Sequence, residues 1–258
     1  MQKRTKDQDD GYKCNYSILQ MKVEVWTDIM CPYCYIGKIH YEKAMQQFAH
    51  ADEVELVIKS FQLNPDLPGN GGGYPVVDYL VKRAGFPESS IKQMFAGIEQ
   101  LALNAGVKFN LTNAVAANTL DAHRLVKFAA KKELASDLLM LISKAYFEDA
   151  LDYSDRSLLK QIGMEAGLDP DGIDQLFAGD DLVAEVKEDI REAQLLGIDT
   201  VPTFLFDRKQ AIIGSEPVEV FLDTLNQAYA DWKKADPSPD SPRVRRGKSC
   251  NADGVCEI

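Results

Sequence analysis

Two cysteines with two residues between them, Cys31-Pro32-Tyr33-Cys34, stand where a strand gives way to a helix. That placement constrains the chain more than any other feature. Upstream, residues 21–28 (MKVEVWTD) set Val23 and Val25 against Glu24 before Trp26, the alternation of a strand. Downstream, Cys34, Gly37, Tyr41, Ala44 and Phe48 recur at helical spacing, so 31–49 reads as a helix with one apolar face. Residues 54–61 (VELVIKSF) read as a second strand. The opening is therefore β-α-β, and such a crossover implies a parallel strand pair.

At this junction Cys31 falls at the N-cap and Pro32 at the first helical position, where a missing N–H costs nothing. The Cys31 sulfur would face unpaired N–H groups and the positive end of the helix dipole, both of which favour thiolate. A thiol so placed can fall from ~8.5 into the range of ~3.5–7.5. Cys34, one turn inward, could then attack a mixed disulfide on Cys31. On this reading Cys31 attacks and Cys34 resolves. Two other readings stand beside it. One is half of a zinc site completed by Cys250 and Cys256, since four ligands in two pairs are present. The other is a pair of inert core thiols. Against zinc, the second pair sits in a Pro-rich segment and the first runs directly into a helix. Against the inert pair, thiols at helix N-termini are the activated kind.

Past Asn64 the pattern changes. Pro65, Pro68 and the run 69–73 (GNGGG) make a loop, and this run lacks the Gly-Lys-Ser/Thr ending of a phosphate cradle. From Pro75 to about Gly197 the periodicity is helical, with Asn113 and Ser154 as candidate N-caps and Gly106, Gly167 and Gly197 as candidate stops. Strands return at 203–206 and 211–213, joined by a hairpin-length spacer at 207–210, and a last helix spans 217–232. The division expected is an extension at 1–20, two halves of one domain at 21–64 and 191–232, a helical insertion at 65–190, and a flexible tail at 233–258. The fold class is α/β, with β-α-β and β-β-α halves sharing one mixed sheet around a large all-helical insertion.

With 258 residues, 45% hydrophobic and 27% charged, the chain has an ordinary globular composition. Its net charge of −11 opposes nucleic acid and anionic membrane surfaces as partners. The polar first twenty residues lack the apolar segment of a secretory signal, so a cytoplasmic location is expected. In a reducing compartment, close cysteine pairs suggest redox or metal work rather than structural disulfides. Cys250 and Cys256 flank an Asp-Gly turn and could meet in a small loop, and a relay between them and Cys31–Cys34 is one hypothesis. Cys14 is read as incidental. His40, His50 and His123 share no metal-ligand spacing, so no metal site is expected from them. His123, among Ala122, Leu125 and Phe128, is weighed chiefly as a structural histidine that could still face the site. The basic cluster at 243–248 reads as a solvated segment, and nothing here sets the oligomeric state.

Several ordered stretches together resemble the DsbA family of thioredoxin-fold oxidoreductases, and more closely its FrnE-like branch with 2-hydroxychromene-2-carboxylate isomerase-like relatives. They are Trp26-Thr27-Asp28 with Cys31-Pro32-Tyr33-Cys34-Tyr35-Ile36-Gly37, then Phe61-Gln62-Leu63-Asn64-Pro65, Asn118-Thr119, Ala122-His123-Arg124, Ala145-Tyr146-Phe147, Gly197-Ile198 through Val201-Pro202-Thr203-Phe204, and Gly214-Ser215. The resemblance implies a thioredoxin-like fold, Cys31 as nucleophile, Cys34 as resolving thiol, and Pro202 as a cis-proline facing them. Pro32, Tyr33 and Val201 would line the site, with Val201 offering backbone groups to an extended substrate. Strongly oxidising members carry histidine where Tyr33 stands, so a less oxidising potential is expected here. The activity implied is thiol–disulfide exchange with protein or small thiol substrates, needing no metal or nucleotide, with glutathione as a possible co-substrate. A glutathione-dependent isomerase or transferase of aromatic molecules is the nearest rival, and Cys34 speaks against it. A non-catalytic peptide-binding or zinc-held module is the rival of another class.

Overall fold

The computed structural model describes residues 20–85, 87–234, 243–246 and 250–251. In chain order the elements are β1 (Met21–Thr27), α1 (Pro32–Gln47), β2 (Val54–Ser60), β3 (Tyr74–Pro75), α2 (Val76–Ala84), α3 (Glu88–Ala105), β4 (Val115–Ala116), α4 (Leu120–Ala130), α5 (Ala135–Phe147), α6 (Arg156–Glu165), α7 (Pro170–Ala178) and α8 (Val183–Leu195). There follow β5 (Thr200–Val201), β6 (Thr203–Phe206), β7 (Gln210–Ile213), α9 (Val218–Lys233), β8 (Arg243–Arg246) and β9 (Cys250–Asn251). The fold is thioredoxin-like, with a mixed sheet and a helical block inserted between its halves.

The main sheet has the order β2-β1-β6-β7-β8. β1 runs parallel to β2, with Val23 beside Leu56, and antiparallel to β6, with Val25 beside Phe204. Val23 and Val25 point to the face covered by α1 and α9. There Tyr41 of α1 stacks on Phe204 at 5.5 Å between ring centres, and Phe221 of α9 meets Phe204 edge-on at 4.9 Å. Truncating one such buried ring costs about 3–5 kcal/mol, so this three-ring contact fixes α1 on the sheet.

The opposite face carries charge as well as apolar surface. Trp26 donates from Nε1 to the Asp189 carbonyl of α8 at 3.0 Å. Glu24 receives both arms of Arg208 at 2.6 and 2.7 Å and has Lys59 at 3.9 Å. Lys59 reaches Glu192 at 2.8 Å and Asp189 at 3.3 Å, and Lys127 of α4 also pairs with Asp189. Glu24 and Asp189 are buried. This knot joins β1, β2, α4 and α8, and so ties the insertion to the sheet.

Within the stretch 233–258, expected to be a flexible tail, two short segments are strands. Arg243–Arg246 runs parallel to β7 as the sheet's outer strand, Val244 beside Ala211. Cys250–Asn251 pairs antiparallel with β5. Strand addition uses main-chain groups, so a basic segment can complete an open edge that apolar patterning does not announce. Two helix starts also differ. Asn113 closes a 3₁₀ turn, while α4 begins after Thr119, because Val115–Ala116 intervenes as a strand paired with β3. Asp155, not Ser154, caps α6, its side chain accepting from the Ser157 N–H at 2.8 Å. Gly106 ends α3 at φ +95°, a left-handed turn that suits glycine. None of the described helices is long and apolar enough to cross a membrane.

Candidate active site

The site forms where β1 ends and the chain turns into α1. Cys31 is the N-cap of α1 at φ −88° and ψ 114°, and Pro32 follows in the first helical turn. The turn is closed by the Cys31 N–H donating to the Asp28 carbonyl at 3.1 Å and the Cys34 N–H donating to the Cys31 carbonyl at 3.0 Å. Opposite it lies the junction of β5 and β6, where the Val201–Pro202 peptide bond is cis. The Cys31 thiol donates from Sγ to the Val201 carbonyl at 3.6 Å, across 170 positions of sequence. Thus Cys31, Pro32, Tyr33, Cys34, Val201 and Pro202 come together in one place, all buried.

Three contacts hold the facing loop. The Gly214 N–H donates to the Pro202 carbonyl at 2.7 Å, closing the end of β7 onto it. The Thr203 hydroxyl donates to the Thr200 carbonyl at 2.7 Å. Gly37, two turns into α1, packs so closely that a Cβ there would stand 3.1 Å from Pro202 Cγ and 3.5 Å from Phe204. The helical block reaches the same turn. Tyr35 packs against both Phe109 and Phe147, at 5.8 and 5.9 Å, and its hydroxyl donates to Glu148 at 2.8 Å.

The electrostatics differ from the activated thiolate that helix position alone predicts. Cys31 is 0% exposed, and burial pushes its thiol well above the ordinary cysteine value. The neighbouring Cys34 thiol adds to the rise, and the Asp28 carboxylate adds further. The Cys34 N–H works the other way, although the Cys31 side chain makes no capping hydrogen bond. A charge withdrawn from water loses more here than the helix end returns. In this geometry burial favours the protonated Cys31 thiol.

Asp28 and His123 are part of this site in a way the sequence only hinted at. Asp28 Oδ2 accepts the Leu63 N–H at 2.7 Å, and Asp28 Oδ1 lies 3.2 Å from His123 Nε2. Both side chains are out of solvent, at 0% and 1% exposure. The available signal was Asp28 standing three residues before Cys31. The other two histidines lie elsewhere, His40 against the Glu216 carbonyl at 2.8 Å and His50 beside Glu53 at 3.5 Å. Cys250 sits in β9 directly opposite Val201, whereas Cys14 and Cys256 fall outside the described residues.

A thioredoxin-like sheet, a CxxC pair at the first helix, and a facing X–Pro turn define a class of thiol-handling proteins. The chain belongs to the DSBA-like thioredoxin domain family, which it matches over residues 22–226. Among solved structures it is similar to a probable DsbA oxidoreductase of Streptomyces coelicolor, at 30% identity and a TM-score of 0.77, covering 93% of this chain and 99% of that one. It also resembles a 2-hydroxychromene-2-carboxylate isomerase at 14% identity and a TM-score of 0.62, covering 84% and 100%. The cytosolic disulfide reductase DsbM of Pseudomonas aeruginosa, solved with GSH, matches at 17% identity and a TM-score of 0.55, covering 83% and 98%. The last two likenesses are likenesses of fold.

Proposed function

We propose that this protein is a thiol–disulfide oxidoreductase in which Cys31 exchanges with protein or small thiol substrates and Cys34 resolves. The observation that supports this best is the Cys31 sulfur at the head of α1, 3.6 Å from the carbonyl before Pro202, with Cys34 beside it. In the reducing direction the Cys31 thiolate attacks a substrate disulfide, whose S–S bond breaks as a mixed disulfide forms and the first substrate thiolate takes up a proton. Cys34 loses its proton and attacks the Cys31 sulfur. The second substrate thiol leaves, two electrons have passed to the substrate, and Cys31–Cys34 is the oxidised product. The oxidising direction is the same sequence reversed. After the reducing direction two equivalents of a thiol of the glutathione class return the pair to the dithiol and leave as their own disulfide, whereas after the oxidising direction a disulfide of that class re-forms Cys31–Cys34, and the cycle needs neither metal nor nucleotide.

The residues around the pair fit these steps. Proline at 202 has no N–H to donate to a passing thiolate, so the sulfur keeps its nucleophilicity. Val201 offers main-chain groups to an extended substrate on the edge where β9 pairs with it, once β9 gives way. Tyr33 adds no positive charge beside the thiolate, so the potential sits on the reducing side of family members with histidine there. Because burial holds Cys31 protonated, the cycle begins with an opening that brings water or substrate to the sulfur. Cys250, opposite Val201 in β9, and Cys256 are the second pair through which electrons pass to or from Cys31–Cys34.

Trapping tests the main reading. Cys34→Ser expressed in cells should hold substrates as disulfides on residue 31 that Cys31→Ser/Cys34→Ser does not hold. No capture, together with glutathione-dependent turnover of an aromatic substrate surviving Cys34→Ala, would replace it with the isomerase reading. The relay has its own test. Mild oxidation of Cys31→Ser should give a mixed disulfide between Cys34 and the 250/256 pair. Its absence, with unchanged turnover in Cys250→Ala/Cys256→Ala, removes the relay alone.

A further inference from the structure

The thiol pair is not the only ionisable pair sealed into this site. Asp28 and Cys31 lie three residues apart in one turn, and the Asp28 carboxylate opposes charge on Cys31. Two anions side by side without water resist forming together, and the effect grows as the surroundings dry. The cycle proposed above requires one of them to be a thiolate. Burial and Cys34 weigh more on Cys31, and the carboxylate is the contribution that a neighbouring donor can weaken.

The groups facing Asp28 come from four parts of the chain. The Leu63 N–H, past β2, occupies Oδ2. Tyr146 of α5 and Tyr153 beyond it feel the carboxylate from the helical block, but burial pushes both phenols up, so they stay neutral. Tyr153 spends its hydroxyl on Ala117, donating to the carbonyl at 2.6 Å and accepting from the N–H at 3.0 Å. The nearby cations of α4 are engaged elsewhere. Arg124 donates to Asp121 at 2.7 Å and to the carbonyl of Asp181 at 2.8 Å, and Lys127 pairs with Asp189. His123 is the group that meets Oδ1, at 3.2 Å.

We propose that His123, carried by the helical insertion, is a positioning residue for the redox thiol: by donating from Nε2 to Asp28 it turns the carboxylate's charge away from Cys31 and favours the thiolate. This rests on the oxidoreductase reading and gives the insertion a share in the chemistry. His123 acts through Asp28 and does not touch the sulfur. No bond other than the thiol S–H is broken in this step, and its proton leaves to solvent when the site opens.

The test is the pH profile of Cys31 alkylation by iodoacetamide in the full chain, read on the peptide containing residue 31 by mass spectrometry. Asp28→Asn removes the opposing charge and should move the midpoint down. If the midpoint falls by about one pH unit, alkylation at pH 7 becomes about tenfold faster. His123→Phe keeps a ring without a donor and should move the midpoint up. The double variant should follow Asp28→Asn, because nothing is left for residue 123 to act through. His123→Gln, which keeps an N–H, should recover most of the rate. If the phenylalanine variant does not fold, His123→Leu replaces it under the same criterion, and His123→Gln against Asp28→Asn/His123→Gln reads the coupling. An unmoved midpoint in Asp28→Asn, or a displacement in the same direction in both single variants, overturns the proposal. Trapping on Cys34→Ser is independent of it. Capture with unmoved midpoints would retire the role of His123 and leave the oxidoreductase reading in place, and displaced midpoints without capture would do the reverse.

Discussion

Gly37 and Pro202 touch across the site: a side chain beginning at residue 37 would come within 3.1 Å of the proline ring. Gly37 lies in the interior of α1, where alanine would ordinarily be favoured by about 0.5–1 kcal/mol. The glycine is there for proximity. Gly37→Val should therefore push the 201–203 turn away from the thiols, cost roughly 1–3 kcal/mol by overpacking, and lower thiol exchange with a disulfide substrate at least tenfold. Gly37→Ala should lie between valine and wild type in both measurements. Stopped-flow exchange and urea unfolding on the same samples separate the two effects.

Asp189 is the hub of the charged knot behind the sheet. It receives the Ser60 N–H at 2.7 Å as well as Lys59 and Lys127. Burial alone works against charge on Lys59, yet its acidic neighbours prevail and its pKa stands raised. Asp189→Ala leaves these cations without their shared partner and should cost about 3–5 kcal/mol. The urea midpoint should fall with little change in slope. A loss below about 1 kcal/mol would mean that Glu24 and Glu192 hold Lys59 without Asp189.

The buried thiol makes stability depend on pH. The folded value for Cys31 lies above its unfolded value of about 8.5, so the folded state binds this proton more tightly. The resulting stability is complete below about pH 8.5 and is lost as the pH rises toward the folded value. Reduced protein should lose stability between about pH 8.5 and 10 relative to Cys31→Ser, and the two should run parallel from about pH 6 to 8. Tyrosines whose phenols burial pushes up, such as Tyr146 and Tyr153, contribute equally to both and cancel. Urea unfolding across the range, under reductant, measures the difference.

Cys250 faces Val201 in strand register, and Val201 is 0% exposed. Ending the chain after Lys234 removes β8 and β9 and should free this edge. Alkylation of Cys31 at pH 8 should become several-fold faster, and binding of an extended peptide should tighten. Equal rates in the full and shortened chains would mean that the helical block alone shields the sulfur.

The parts of this fold that were readable in the sequence are those decided over short distances. The β-α-β opening, Cys31 as N-cap, Pro32 behind it and the hairpin at 207–210 all follow from neighbours within a few residues. The parts that were not readable are decided by segments far away. Helix position predicts an acidic Cys31, but burial reverses the sign, and the carbonyl that its thiol meets belongs to Val201, 170 residues distant. His123 looked structural because its partner, Asp28, is 95 positions upstream. Arg243–Arg246 has one apolar residue and no strand-like alternation, and it joins the sheet because β7 offers an unpaired edge.

That same 170-residue separation between Cys31 and the Val201 carbonyl bears on how the protein is made. At ribosomal speeds of about 5–20 residues per second, the two thiols emerge roughly ten to thirty seconds before the loop that faces them. During that interval β1 has β2 beside it but lacks β6, and its open edge and both sulfurs stand uncovered. The nascent chain thus meets cellular thiols and oxidants as a bare dithiol, and acquires its guarded centre only after the facing loop has emerged.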